Sequence, residues 1–412
     1  MRNALLLFIL ISSSTAFADY SQNIESFLTP YAEAIVEDSA FVLTSRESGE
    51  EFASTENLKI KQHLAIESEF LHWRYTSALV YEGLRELGEE LDEDRYVNFG
   101  SRAFSFFFDN KEYYENVKKQ GYSIEGLKNF DRFQGVWNDG AQMAALVEVY
   151  KKDQRPDYLD YMKRVADYLF GYDESDGAKK SSINIDQLYA KGVFMARFGK
   201  LTGERKYFDY AVKTVLENEK LFYDPMTGLY DQYFYPKLGV TNRIKWLRGM
   251  GWAAIGMVNI LDDLPKDHPG YEDVLGIFQK MVVAVSSYQT KSGLWRHLVD
   301  RTDSFEETSG STYIVYAIAK GINDGHLDSI YRDVAMAGWR GIISMQSEDG
   351  RIKNVTTGVS GSTSPSYYYG NSFDEASTHF YGPLFLAGTE MIKLYEKYDG
   401  PKVRGWQLNS ND

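Results

Sequence analysis

The chain has 412 residues and carries 59 acidic against 45 basic side chains, a formal net charge of −14, with no cysteine. So acidic a chain argues against nucleic acid and anionic membrane as partners, although an anionic small substrate needs only a local basic pocket. Lack of cysteine rules out disulfides and thiolate-bound metal, so a large hydrophobic core must hold the fold.

The first residues read as a secretory signal peptide over 1–18. Met1-Arg2-Asn3 is a short basic start, Ala4 to Ile11 is apolar, and Ala16-Phe17-Ala18 is a small-x-small cleavage site. This predicts a periplasmic or secreted protein whose residues 19–412 form one domain, with no later run apolar for long enough to span a bilayer. Apolar residues then recur at helical spacing over about 25–42, 63–88, 92–110, 137–155, 157–171 and 186–201. They continue over about 205–220, 246–262, 271–289, 308–323, 328–346 and 376–398. Two kinds of helix are present. Asp186–Lys200, Trp246–Leu261 and Thr308–Lys320 are rich in small residues, whereas Tyr207–Glu217, Val274–Tyr288 and Ile330–Met345 are bulkier and amphipathic. Small residues let helices pack closely at a centre, and amphipathic helices show one face to water. The pattern predicts an all-α (α/α)6 barrel of six inner and six outer helices. Asp224–Tyr230, Lys291–Trp295 and Glu348–Arg351 each follow an outer helix with turn-forming Gly or Asp, which places long loops on one rim.

Two acids open neighbouring inner helices: Asp139 in Trp137-Asn138-Asp139-Gly140, and Asp186 in Asn184-Ile185-Asp186-Gln187-Leu188-Tyr189. Each could be a helix cap, and together they could be the paired carboxylates of acid/base work on sugars; the two readings are compatible. Trp246, Arg248 and Trp252 place two indoles and a guanidinium within one helix start. Indoles stack on sugar C–H faces and Arg grips carboxylates bidentately, while the alternative is a core or end-staple role for the Trp pair. The 31 Tyr add to a sugar-binding reading. His379 opens the last inner helix and could reach the funnel. His72 reads as a core histidine within an inner helix, and His268 and His326 fall in turns. Tyr367-Tyr368-Tyr369 is either a sugar-facing wall or loop packing. No metal-ligand spacing, phosphate-cradling loop or nucleophile elbow occurs, so neither metal nor cofactor is expected.

Several signatures in order resemble the unsaturated glycuronyl hydrolases: glycoside hydrolase family 105, the unsaturated rhamnogalacturonyl hydrolases, and more distantly family 88. They are Asn138-Asp139-Gly140, Asp186-Gln187-Leu188-Tyr189, Trp246-Leu247-Arg248-Gly249-Met250-Gly251-Trp252, Glu307-Thr308-Ser309-Gly310-Ser311 and Gly382 to Glu390. The resemblance implies an (α/α)6 barrel acting on oligosaccharides that a polysaccharide lyase has left with a 4,5-unsaturated uronic acid. Its chemistry is hydration of that double bond, with Asp186 as general acid/base and Asp139 holding substrate or water and repelling charge on Asp186. It further implies substrate contacts from Trp246, Arg248, Trp252 and Ser309. Where the family often has a rim His, this chain has Gln232, and His297 stands in the next equivalent loop. Rivals are a polysaccharide lyase, which would want a Tyr or His base beside Arg, a sugar epimerase with paired His, and a non-catalytic carbohydrate-binding protein.

Overall fold

The computed structural model describes residues 21–61, 63–133, 135–174, 181–375 and 377–399. The expected signal peptide lies outside them. Twelve principal helices follow one another: α1 (21–38), α2 (Tyr75–Leu91), α3 (Phe99–Asp109), α4 (Val136–Asp153), α5 (Pro156–Glu174) and α6, a π turn Tyr189–Val193 running into Phe194–Thr202. Then come α7 (Arg205–Phe222), α8 (Leu247–Asp263), α9 (Tyr271–Ser286), α10 (Thr308–Asn323), α11 (Arg332–Ser344) and α12 (Thr378–Asp399). Each even-numbered helix packs on the next, and α12 packs on α2, so the six inner helices close into a ring. The odd-numbered helices lie outside it. None of the described helices is long and apolar enough to cross a membrane.

Side-chain size decides which helix goes where. Every residue of α8 from Leu247 to Leu261 is buried, and five of its first ten residues are Gly or Ala, which lets neighbouring backbones approach. Gly140 of α4 shows how closely: a Cβ there would lie 1.9 Å from the Ala190 carbonyl oxygen of α6. The ring's centre is also charged. Arg197 pairs with Glu82 at 3.0 Å, and Glu82 accepts the Tyr189 hydroxyl at 3.1 Å, all within the core. A buried pair of this kind is costly to break from one side.

All twelve periodic segments are helical, with one large boundary difference. Residues 63–74 do not belong to α2: Leu64–Ala65 form strand β3, which pairs antiparallel with β1 (Leu43–Ser45), itself paired with β2 (Glu51–Phe52). Leu64, Ala65, Ile66 and Leu71 are buried as strand and loop, which short apolar runs cannot distinguish from helix. His72 therefore lies in the entry loop, its Nε2 at 2.9 Å from the Ile66 carbonyl. The three rim turns hold Gly228, Gly293 and Gly350 at φ of +73°, +92° and +81°, a region that favours glycine.

Candidate active site

A cavity of about 180 Å³ opens at the N-terminal ends of α2, α4, α6 and α8. Its wall contains Tyr75, Trp137, Asn184, Asp186, Tyr189, Tyr233, Trp252 and Val359. A small sheet assembles one side: β4 (Ile183–Asn184) pairs with β5 (Tyr233–Tyr235), which pairs with β6 (Val240–Thr241). This register sets Asn184 opposite Tyr233. The chain then bonds Ile185 N–H to the Gln232 carbonyl at 3.0 Å and turns at Asp186 into the π turn of α6. Such a turn widens a helix locally and is frequent at functional positions.

Asp186 is the one carboxyl among the lining residues described. It is packed deep within protein but keeps partial access to the cavity. Its Oδ1 has no protein partner, and burial pushes its carboxyl up to about 7, only partly offset by the Arg248 charge. Gly249 makes the approach of α8 possible, since a Cβ there would come within 3.3 Å of Asp186 Oδ1 and 2.9 Å of the Trp246 ring. Trp252 forms the floor, with Tyr189, Tyr313 and Tyr75 rings at 5.1, 4.8 and 5.7 Å from its own. Tyr75, at the head of α2, places its hydroxyl 2.8 Å from His379 Nε2.

The other expected contact residues are arranged differently. Arg248 is 1 % exposed. Its Nη1 donates to Ser309 Oγ, Thr356 O and Thr356 Oγ1 at 2.9, 2.9 and 2.8 Å, and its Nη2 to Thr357 O at 2.6 Å. Glu307 lies 3.7 Å away and caps α10, accepting from Ser309 N–H, Gly310 N–H and Thr356 N–H. The terminal nitrogens of Arg248 are thus engaged by protein, and a carboxylate grip would have to displace those bonds. What Arg248 does here is hold the strap 354–359 through Thr356 and Thr357, with Ser309 anchoring the guanidinium; Val359 of the strap lines the cavity. Trp246 stands at the N-cap position of α8 without a side-chain capping bond, lies 5.1 Å from the Arg248 guanidinium through its ring, and packs with Ile244, Leu298 and Tyr368. Gln232 accepts from the Tyr368 hydroxyl, so the middle tyrosine of the 367–369 run packs inward. His297 stacks on Phe305 at 4.8 Å, with Nε2 at 2.9 Å from Asn371 Oδ1; burial lowers its pKa to about 4.

Asp139 is not paired with Asp186. It lies within the first turn of α4, two residues from both Trp137 and Ala141, which line the cavity; at about 100° per residue it faces the opposite side of the helix. There it accepts from Gly135 N–H at 3.4 Å, and burial raises its pKa to about 7, opposed by Gly135 and Trp73. Neither aspartate is shifted by the other. The expected like-charge repulsion is therefore replaced by desolvation acting on each separately. Tyr189 lay inside a signature, and Trp137 and Asn184 in the stretches around the two aspartates, without being singled out, whereas Tyr75, Tyr233 and Val359 carried no local sequence signal. Elsewhere Asp262, Asp324 and His326 gather three ligand-type atoms within 4.8 Å, but Lys320 bridges both carboxylates at 2.6 and 2.8 Å.

An aromatic cavity closed around a single protonatable carboxyl at the mouth of a barrel of paired helices suits acid/base chemistry on a sugar ring, and the family match makes the class a glycosidase. Residues 50–395 match glycosyl hydrolase family 88, and the chain belongs to that family. It is 28% identical over 308 residues to an unsaturated 3S-rhamnoglycuronyl hydrolase of Formosa agariphila, covering 69% of this chain and 79% of that protein. It is 30% identical over 175 residues to the unsaturated rhamnogalacturonyl hydrolase YesR of Bacillus subtilis, covering 42% of this chain and 49% of that one. Its fold superposes with a TM-score of 0.71 on a possible member of family 105 from Salmonella enterica, at 18% identity over 91% of this chain and 95% of the other.

Proposed function

We propose that this glycosidase removes a 4,5-unsaturated uronic acid from the non-reducing end of lyase-generated oligosaccharides by hydrating the C4=C5 bond. The observation that carries the reading is Asp186, a carboxyl held near half-protonation at neutral pH inside a cavity for one ring. Its proton goes to C4, water adds at C5 and returns a proton to the Asp186 carboxylate, and the hemiketal so formed collapses to release the next sugar. Trp252 and Trp137 supply stacking faces, Asn184 and Tyr233 supply polar contacts, and the converging helix N-termini favour an anionic ring. Arg248 acts by holding the strap and by its positive field. Asp139 holds the Gly135 turn that carries Trp137 into the wall. The activities of the two relatives support a rhamnose-linked substrate, for which rhamnogalacturonan and ulvan are the two sources we propose, and the N-terminal residues support export to the periplasm or medium.

The conjugated enoate absorbs in the near ultraviolet, so purified protein is mixed in turn with lyase digests of rhamnogalacturonan, ulvan and a glycosaminoglycan. Loss of absorbance with one digest is expected and names the substrate; no loss with any refutes the reading. One observation favours a second reading. The Tyr75–His379 pair near Arg248 is equipment a polysaccharide lyase could use, and a lyase acting on intact polymer would make the same absorbance rise.

A further inference from the structure

His379 is held from four directions. Its backbone N–H donates to Ser377 Oγ at 3.4 Å, its Nδ1 lies 3.0 Å from the same oxygen, and its Nε2 lies 2.8 Å from the Tyr75 hydroxyl. The fourth contact follows from Pro383, which sits inside α12 four residues later and has no N–H to give the His379 carbonyl. The Tyr313 hydroxyl takes that place, donating to the freed carbonyl at 3.4 Å. Ser377 Oγ receives both donors of one residue when Nδ1 carries the proton, which makes Nε2 an acceptor. Tyr75 O–H then donates to Nε2, and the phenolic oxygen is left with lone pairs toward the cavity that it lines together with Asp186. Burial, with Arg248 and Arg74 nearby, keeps His379 neutral, so the relay aligns a hydroxyl without carrying a proton away.

We infer that Tyr75 is a second catalytic group, whose oxygen accepts a hydrogen bond from the attacking water and aims it at C5, with His379 and Ser377 as positioning residues. This rests on the hydration reading above. In the step, the Asp186 carboxyl proton forms the new C4–H bond, the water oxygen forms the C5–O bond, and the proton shed by that water returns to the Asp186 carboxylate. Tyr75 ends the cycle with the proton it began with.

The test uses the full chain and the unsaturated oligosaccharide that the wild type consumes. Tyr75→Phe keeps the ring and its contact with Trp252, and should lower kcat by roughly 10²-fold, as loss of reactant alignment does, with KM within about twofold. His379→Ala should lower kcat in the same sense, and His379→Gln, which retains an acceptor, should recover most of that loss. Adding His379→Ala to Tyr75→Phe should cost nothing further, because one acts only through the other. A Tyr75→Phe enzyme with unchanged kcat, losses that multiply in the double variant, or a Gln variant no better than Ala would each overturn the inference. A wild type inert toward every digest would instead overturn the hydration reading.

Discussion

Asp186 and Asp139 stand at the heads of adjacent inner helices, and burial raises both carboxyls to about 7. They differ in what they face. Asp186 meets a cavity that a sugar ring can enter, whereas Asp139 faces Gly135 and Trp73 on the far side of the α4 wall. A perturbed acid is thus not by itself a reactive one: desolvation supplies the proton affinity, and access decides whether a substrate can use it.

The sharpest way to break this comparison is Asp186→Asn. It should lower kcat by about 10³-fold or more, as loss of a general acid does, while the melting temperature stays close to wild type. More than a trace of turnover would remove Asp186 from its role. Next in size is Arg248→Ala, which removes the cation beside buried Glu307 and the bonds that hold Thr356 and Thr357, and should cost about 3–5 kcal/mol in urea unfolding. If that variant keeps full stability and only KM rises, Arg248 contacts substrate after all. Asp139→Asn should leave kcat within about twofold but change the pH dependence of stability. Asp139 has a folded pKa near 7, above its ordinary range, so its favourable contribution is full below about pH 4 and is lost as pH rises to about 7. Removing the ionisable group should flatten that slope and stabilise the protein at pH 8 by about 1–3 kcal/mol. An Asn variant as inert as Asp186→Asn would put both aspartates in the mechanism. The smallest effect is on the rate profile: kcat should fall as pH rises through about 7, because Asp186 must be protonated, and Asp139→Asn should leave that limb in place.

Helical periodicity and the contrast between small-residue and amphipathic segments made the barrel legible, since burial in two layers imprints directly on side-chain size. Asp186 and Trp252 were legible because their signatures are contiguous. The same helical period, applied to Trp137 and Asp139, would have set these two residues on opposite faces. The partners of Arg248 were not legible: Thr356 and Thr357 come from a strap more than a hundred residues downstream in the chain, joined only by the fold. Tyr75 and His379 are likewise brought together from α2 and α12: His379 was marked by its place at the head of the last inner helix, whereas no local pattern marks Tyr75.

That junction of α2 and α12 has a consequence for how the molecule comes into being. Gly382 presses against the α2 backbone, where a Cβ would lie 2.5 Å from the Leu79 carbonyl carbon. The last wall is therefore contributed by the final described helix, and the floor of helices beside it has no partner until that helix is synthesised. A nascent chain halted before α12 would present the apolar flanks of α2 and α10 to solvent as sticky, unclosed edges. Closure of the ring therefore waits on α12, and a chaperone that shields those flanks would act on the chain before its last wall is in place.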